Sequence, residues 1–248
     1  MKRILVLLLL IMSHFTNAAP YKEYSQEELQ GMFGLENEKG EYIVDLNIPE
    51  LIEITKALEQ HAINYPVLFD QEADKKLAVR DAVYLTNVMD ILFPSFENDL
   101  LLLNLTLRLN NVSYNLDAQS KLSDERLHKA ADAIFKLEPD NTETHYRLGF
   151  FLASSNRLEE SIPHLEKAAE NGVIDANYSL AMVYLSQEKF DKALEYLAVY
   201  KENSPENQEI NDLIEAIKSG ELKIERKLTE DLPAVSENTQ TDVKTEEK

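Results

Sequence analysis

The chain contains no cysteine and no tryptophan, and it has only 6 glycines and 8 prolines among its 248 residues. The absence of cysteine excludes disulfide bonds, thiolate metal sites and thiol catalysis. Few glycines and prolines leave few places where a helix must end, and plentiful Leu, Ala, Glu and Lys favour helix over sheet. The sequence therefore predicts an all-α protein with room for one or two domains.

Basic residues are also scarce. Lys and Arg number 25 against 45 Asp and Glu, which gives a formal net charge of −20. An acidic surface repels phosphate backbones and anionic lipid headgroups, so nucleic acid and membrane surfaces are poor candidates for partners. Such a balance serves solubility in most proteins, and a basic partner is the alternative explanation.

The first 18 residues have the composition of a secretory signal peptide. Met1–Arg3 is basic, Ile4–Met12 is unbroken apolar sequence, and the small residues Thr16 and Ala18 form a cleavage site after Ala18. A membrane anchor is the alternative, but the apolar run is well short of the about 20 residues that span a bilayer. We therefore expect no integral membrane segment after signal removal. Because a secreted eukaryotic domain would usually carry disulfides, a Gram-negative periplasm is the preferred location, with secretion as the alternative.

Residues 19–110 predict a helical N-terminal region that matches no known repeat. A capping box at Ser25 predicts a short helix, and residues 42–46 predict a short strand. Apolar periodicity predicts helices over residues 47–65, 71–92 and 97–110; the last is apolar on nearly all sides, which leaves a buried strand as its alternative. Residues 110–123 are polar and turn-like, and a further helix is expected over 123–137. Residues 229–248 bury too little apolar surface to offset their ordering entropy, so we predict a disordered acidic tail.

Two stretches of the C-terminal half align at a constant offset. HYRLGFFLASSNRLEESIPHLEKA, from His145, aligns without gaps with NYSLAMVYLSQEKFDKALEYLAVY, from Asn177, at an offset of 32 residues. Small residues recur at Gly149 and Ala181, and large apolar residues flank them. A Pro-Asp-Asn break at Pro139 precedes the first stretch, and a Pro-Glu-Asn break at Pro205 follows the second. Each stretch therefore predicts one helical hairpin of a repeating array.

This pattern resembles the tetratricopeptide repeat, with a signature of Leu-Gly, a later Ala and a closing Pro. The resemblance implies a right-handed solenoid of helical hairpins over residues 123–219, preceded by the irregular helical region. It departs from the signature at the tryptophan position, which holds His145 and Asn177, and at Ser161, which replaces an alanine. The second unit also resembles the related Sel-type repeat.

The resemblance further implies that the first helix of each hairpin lines a concave groove, where a protein or peptide segment docks. The candidate groove residues are Tyr146, Phe150, Tyr178, Met182 and Leu185. A helix from the N-terminal half could instead fill the groove, and both possibilities remain open at this point. The carboxylate clamp that grips chaperone tails needs Lys and Asn where this chain has Tyr146, Phe150 and Ser179, which argues against that partner.

No motif for catalysis or cofactor binding is present. The histidines lack paired metal-ligand spacing, and there is no nucleophile elbow, P-loop or dinucleotide turn. We therefore predict no catalytic residue, no cofactor and no metal. The predicted function is an interaction scaffold that assists an envelope complex. The alternative is an enzyme or enzyme subunit with its site in the N-terminal half, where a cleft with polar residues of perturbed pKa would identify it; a secreted factor acting on a host is a third possibility.

Overall fold

A computed structural model describes residues 4–7, 20–36, 42–43, 46–63, 67–222 and 225–228. The chain forms two compact units, Met1–Leu10 with Lys223–Lys248, and Ile11–Leu222. In the first unit, strand β1 (Ile4–Leu7) pairs antiparallel with strand β4 (Glu225–Leu228). The predicted cleavage site after Ala18 and the predicted disordered tail, residues 229–248, lie outside the described residues, so both stay predictions.

The second unit is helical, as predicted. Its described part has one two-stranded pair, β2 (Leu35–Glu36) with β3 (Tyr42–Ile43). The helices in the described part are α1 (Gln26–Gly31), α2 (Ile48–Ala62), α3 (Glu72–Phe96), α4 (Leu100–Asn115), α5 (Ser120–Leu137), α6 (Thr142–Ser154), α7 (Leu158–Glu170), α8 (Ile174–Ser186), α9 (Phe190–Asn203) and α10 (Gln208–Ser219).

Side-chain caps begin several of these helices, and the one predicted at Ser25 is among them. The Ser25 hydroxyl accepts from the Glu28 amide at 3.1 Å, and the Glu28 carboxylate accepts from the Ser25 amide at 2.7 Å, which confirms the capping box. The Asn47 side chain caps α2, at the start of the helix predicted over residues 47–65. The end of α3 differs from the predicted end at residue 92, because the helix continues past Pro94 to Phe96. α4 begins three residues later than predicted, and the Asp99 side chain caps it.

The long polar loop predicted over residues 110–123 is wrong. α4 continues to Asn115 and α5 already begins at Ser120, so the two helices form a tight hairpin. The asparagines that suggested a turn are buried and have helix carbonyls as partners: Asn110 donates to Thr106 O at 2.8 Å, and Asn115 donates to Ala62 O at 3.0 Å. Burial with satisfied amide donors removes their preference for turns.

The hairpins α4–α5, α6–α7 and α8–α9 stack in sequence, and α10 packs on α9 at the end. This arrangement is a helical-repeat solenoid. Its first helices, α4, α6 and α8, contact one another from one hairpin to the next. Because the more closely spaced layer of a solenoid lies on its concave side, these helices form the inner layer.

Each inner helix ends in the same way, with a residue of positive φ two positions after it. Asp117, Asn156 and Glu188 follow α4, α6 and α8 with φ values of 57°, 63° and 60°. In each case the next amide reaches back to a helix carbonyl, as from Arg157 N to Leu152 O at 2.8 Å. These residues fix a common register, in which Leu107 and Asn111 of α4 correspond to Tyr146 and Phe150 of α6.

His145, which stands at the tryptophan position of the repeat signature, lies against a second histidine. His145 of α6 lies 2.9 Å from His164 of α7, Nδ1 to Nδ1, and His164 stacks on Phe135 of α5 with ring centroids 5.9 Å apart. His145 Nε2 lies 3.2 Å from the Pro139 carbonyl, which can only accept. In this geometry neutral His145 donates from Nε2, and its Nδ1 accepts from the Nδ1–H of His164.

Acidification should destabilise the protein through His164. Burial, followed by the nearby His145 and His128, lowers the pKa of His164. The unfolded chain therefore binds more protons than the folded chain below about pH 6.5, so stability falls as the pH drops through that value. We expect His164→Phe, which retains an aromatic ring against Phe135, to reduce the loss in Tm between about pH 7.5 and 5.5. Equal losses in the variant and the unaltered chain, measured by thermal denaturation, would assign the effect to other groups.

Candidate protein-binding surface

Four of the five sequence-predicted groove residues present partly accessible side chains on the inner layer. Tyr146 and Phe150 of α6 lie side by side with ring centroids 6.2 Å apart, and both are partly buried. On α8, Tyr178 is 37% exposed and Met182 is partly buried. Leu185 is different: its exposure is 0%, so it belongs to the core and not to an open surface. We call Tyr146, Phe150, Tyr178 and Met182 the inner surface.

Groups of the neighbouring helices influence the pKa values of the two tyrosines of the inner surface. Burial raises the pKa of Tyr146, with the Asp175 charge as the next cause, while a hydrogen bond with Ser179 of α8 acts in the opposite direction. Burial also raises the pKa of Tyr178, followed by Tyr200 and Glu209. Tyr146 of α6 therefore lies near polar groups of α8, and the ring of Tyr178 contacts that of Tyr200 on α9.

Sequence reasoning missed Tyr200 as a contributor. Its ring lies 5.4 Å from that of Tyr178, tilted by 44°. The available signal was that Tyr200 stands where the repeat has an alanine, because an aromatic residue at a small position extends beyond the hairpin core. The two rings together enlarge the apolar platform between α8 and α9.

The N-terminal half covers the inner layer at α4. Leu107 and Asn111 of α4, which correspond to Tyr146 and Phe150, are 0% and 6% exposed. α2 packs against α4, and Asn115 donates to the carbonyls of Ala62 and Ile63, 3.0 and 2.9 Å away, at the end of α2. The sequence left open whether the groove is filled by an N-terminal helix or is open to a partner. In the structure α2 covers the inner layer at α4, whereas Tyr178 on α8 stays accessible.

One carboxylate attaches α2 to two inner helices. Glu59 of α2 forms a two-pronged ion pair with Arg108 of α4, with Nε 2.8 Å from Oε1. Its Oε1 also lies 3.2 Å from Nη1 of Arg147 on α6. The hydrogen bond from Arg108 to Glu59 is the largest cause of the raised pKa of the Arg108 guanidinium. Because these side chains are largely shielded from water, the contact is less screened than a surface pair.

A carboxyl group with a perturbed pKa does occur in the N-terminal half, where an enzyme site would lie. Asp81 of α3 is 0% exposed, and burial raises its pKa despite hydrogen bonds that act the other way. Arg80 Nε donates to it at 2.7 Å and the Tyr21 hydroxyl at 3.1 Å, while Arg80 also donates to Tyr24 O at 2.6 Å. These hydrogen bonds hold residues 21–24 against α3. The contacts of Asp81 are therefore those of a structural residue that attaches the N-terminal segment to α3.

Other features of the described residues lie apart from the inner surface. One cavity of about 600 Å³ lies between α3 and α5, lined by residues that include Phe93, His128 and Lys129. A second, of about 620 Å³, lies between α9 and α10, beside Leu194 and Ile214. Within the described ranges, three or more His, Asp or Glu residues nowhere converge in a geometry that could hold a metal ion. The helices described are all too short or too polar to cross a membrane.

Comparison with protein families supports the repeat assignment. Residues 174–202, which cover α8 and nearly all of α9, match the family model described as tetratricopeptide repeat. A comparison with curated proteins finds no match. The match supports a role in protein–protein interaction, which is the common use of such arrays. Residues 174–202 thus resemble the tetratricopeptide repeat both in sequence and in the hairpin that they form.

Proposed function

We propose that this protein is an interaction scaffold of the periplasm, or of the secreted fraction, and that it assists an envelope complex by holding a segment of a partner protein. The observation that carries the proposal is the inner surface, where Tyr146, Phe150, Tyr178 and Met182 form an aromatic and thioether stripe along two adjacent inner helices. Such side chains bind apolar anchors at low cost in side-chain ordering. The signal-like N-terminus supports the location.

The position of α2 supports binding of a segment rather than of a flat protein face. α2 occupies the inner layer at α4 with its own apolar face, so this layer accepts a chain element laid across it. Three of the four equivalent positions on α6 and α8 carry aromatic side chains, the fourth carries Met182, and all four are more accessible than Leu107 and Asn111. A partner segment would continue along the layer from the place where α2 ends.

Substituting the two tyrosines should abolish partner capture. In cross-linked pull-downs from the envelope fraction of the source cells, we expect the unaltered chain to retain one stoichiometric protein partner. The double variant Tyr146→Ala, Tyr178→Ala should lose that partner while its helicity by circular dichroism is unchanged, because each truncation removes an aromatic anchor.

The matched control is Phe190→Ala on α9, since Phe190 is 38% exposed, nearly the same as Tyr178. This control should capture the partner as well as the unaltered chain does. Capture that survives the double substitution would place the binding site outside the inner surface. Absence of the chain from the fraction released by osmotic shock and from the medium would contradict the proposed location.

A further inference from the structure

The element that covers the inner layer at α4 is itself an amphipathic helix. In α2, the apolar residues Leu51, Ile54 and Leu58 are almost fully buried and lie three and four positions apart, so they share one face. Glu53 and Lys56 of the same helix are exposed and pair with each other at 3.2 Å. The packing of α2 on α4 therefore shows which form of chain the inner layer accepts.

This contact continues from α4 onto α6, which carries half of the inner surface. Arg108 of α4 and Arg147 of α6 stand at equivalent positions, as Leu107 and Tyr146 do, and both bind Glu59 of α2. Arg147 directly follows Tyr146 in the sequence. The inner surface is therefore continuous with an interface that a helix already forms.

An amide side chain of α4 binds α2 where that helix ends. Asn115 donates to the carbonyls of Ala62 and Ile63 at 3.0 and 2.9 Å, and carbonyls in the last turn of a helix lack an intrahelical donor. The equivalent residue of α6 is Ser154, whose hydroxyl donates to Phe151 O at 2.9 Å within its own helix. α6 therefore has no amide at this position that could hold the backbone of a partner.

The next inner helix, α8, offers few groups that could bond to a backbone. Its accessible residues are Ile174, Asp175, Tyr178 and Met182, and its other residues are buried. Beyond the first turn, the Tyr178 hydroxyl is the one strong hydrogen-bonding group among the accessible residues of α8, because a thioether is a weak acceptor. An extended segment laid here would bury amide and carbonyl groups without partners, whereas a helix bonds its own backbone and presents side chains.

We propose that the partner segment is an amphipathic α-helix, which docks its apolar face on the inner surface as α2 docks on α4. This inference rests on the proposed function of the inner surface and adds the form of the segment that it binds. Neighbouring packed helices lie about 8–10 Å apart, and residues seven apart on a helix are separated by about 10 Å along its axis. The partner helix should therefore carry large apolar residues at i and i+7, one on α6 and one on α8, with a third at i+3 or i+4.

Peptide binding to the full chain tests the form of the segment. The probe is a fluorescein-labelled peptide of about 16 residues with Leu at i, i+3, i+4 and i+7 and with Ala, Glu and Lys elsewhere. A second peptide locks the same sequence as a helix through a lactam bridge between a Lys and a Glu four apart on the polar face. A third peptide carries Pro in the middle of that face and keeps every Leu.

The three peptides should differ in affinity by fluorescence anisotropy. We expect the bridged peptide to bind about three- to tenfold more tightly than the linear one, because its helix is ordered before binding. The proline peptide should bind at least about tenfold more weakly than the linear one, because proline disrupts the interior of a helix. Weaker binding of the bridged than of the linear peptide, equal binding of the proline peptide, or no binding by the linear and bridged peptides would each overturn the proposal.

Variants of the chain locate the docking site. Tyr146→Ala with Tyr178→Ala should weaken binding of the bridged peptide at least about tenfold, because it removes one aromatic group from each of the two inner helices. The control, Phe190→Ala on α9, removes a ring that is 38% exposed and should change the affinity by less than about twofold. Equal losses in the two variants would show general attraction to apolar surface and refute docking on the inner surface.

The outcome is distinguishable from failure of the proposed function. Bridged peptide added before cross-linking should prevent capture of the cellular partner. If the double tyrosine substitution abolishes capture but the bridged peptide neither binds nor prevents it, the inner surface binds a segment that is not helical, and this inference alone fails. If capture survives the double substitution, the proposed function of the inner surface fails as well.

Discussion

Replacing Gly149 with alanine should lower the free energy of unfolding by about 1–2 kcal/mol, although alanine is the better helix former. A Cβ added at Gly149 would lie 2.8 Å from Cγ of Leu165 and 3.0 Å from the Leu165 backbone nitrogen. The side chain could move, but the backbone could do so only if α7 moved away from α6. Gly149→Leu should cost about 3 kcal/mol, since the larger side chain overpacks the same contact. Urea denaturation followed by circular dichroism measures both values.

The control for this prediction is Gly31→Ala. Gly31 is also helical, at the end of α1, but it has no heavy atom within 4 Å of an added Cβ. The substitution should leave stability unchanged or raise it by about 0.5–1 kcal/mol, because alanine restricts the unfolded chain. If alanine has the same effect on stability at both glycines, the close approach of α6 and α7 is not the reason why position 149 requires glycine.

Replacing Glu59 with alanine should destabilise the protein by about 2–3 kcal/mol. The change leaves Arg108 without its carboxylate and removes one of the two partners of Arg147, and the side chains of both arginines are only 20% exposed. A mostly buried cation without a partner costs far more than a lost surface pair. The free energy of unfolding from urea titration gives the size of the effect.

Glu53→Ala on the same helix provides the comparison. Glu53 pairs with Lys56 at 3.2 Å, but their side chains are 72% and 56% exposed. Removal of the Glu53 carboxylate should lower the free energy of unfolding by no more than about 0.5 kcal/mol. Equal effects at Glu53 and Glu59 would mean that α2 is held on α4 by apolar contacts alone.

The hairpins at residues 142–170 and 174–203 could be predicted because their signals are local. Gly149, Leu148 and Leu152 fall on one face of one helix, and the same spacing returns at Ala181, so periodicity and alignment were enough. The same signals placed Tyr146 and Tyr178 on the inner layer. These signals could not show that Leu185 is buried. Periodicity assigns a residue to a face of its helix, but it does not identify the neighbouring elements that cover that face.

The two helices of the α4–α5 hairpin were predicted, but the tight turn between them was not, because its determinants are distant in sequence. Asn111 and Asn115 look like turn residues, but their amide donors are satisfied by carbonyls of Ala62 and Ile63, about fifty positions earlier. The contact of Glu59 with Arg147 joins residues 88 apart. No pattern within a single helix contains either partner, so the closure of the inner layer by α2 could not be derived from the chain alone.

The packing of α2 on α4 limits the length of the partner segment that the inner layer can bind. With that end covered, the inner helices left for a partner are α6 and α8, whose axes lie about 8–10 Å apart at ordinary helix spacing. An extended segment crosses that distance in about three residues, and a helical one in about seven. A contact of this length buries far less area than a stable interface, so one bound segment dissociates quickly. Lasting attachment would require several such segments on one partner, and a single one would exchange freely between copies of the scaffold.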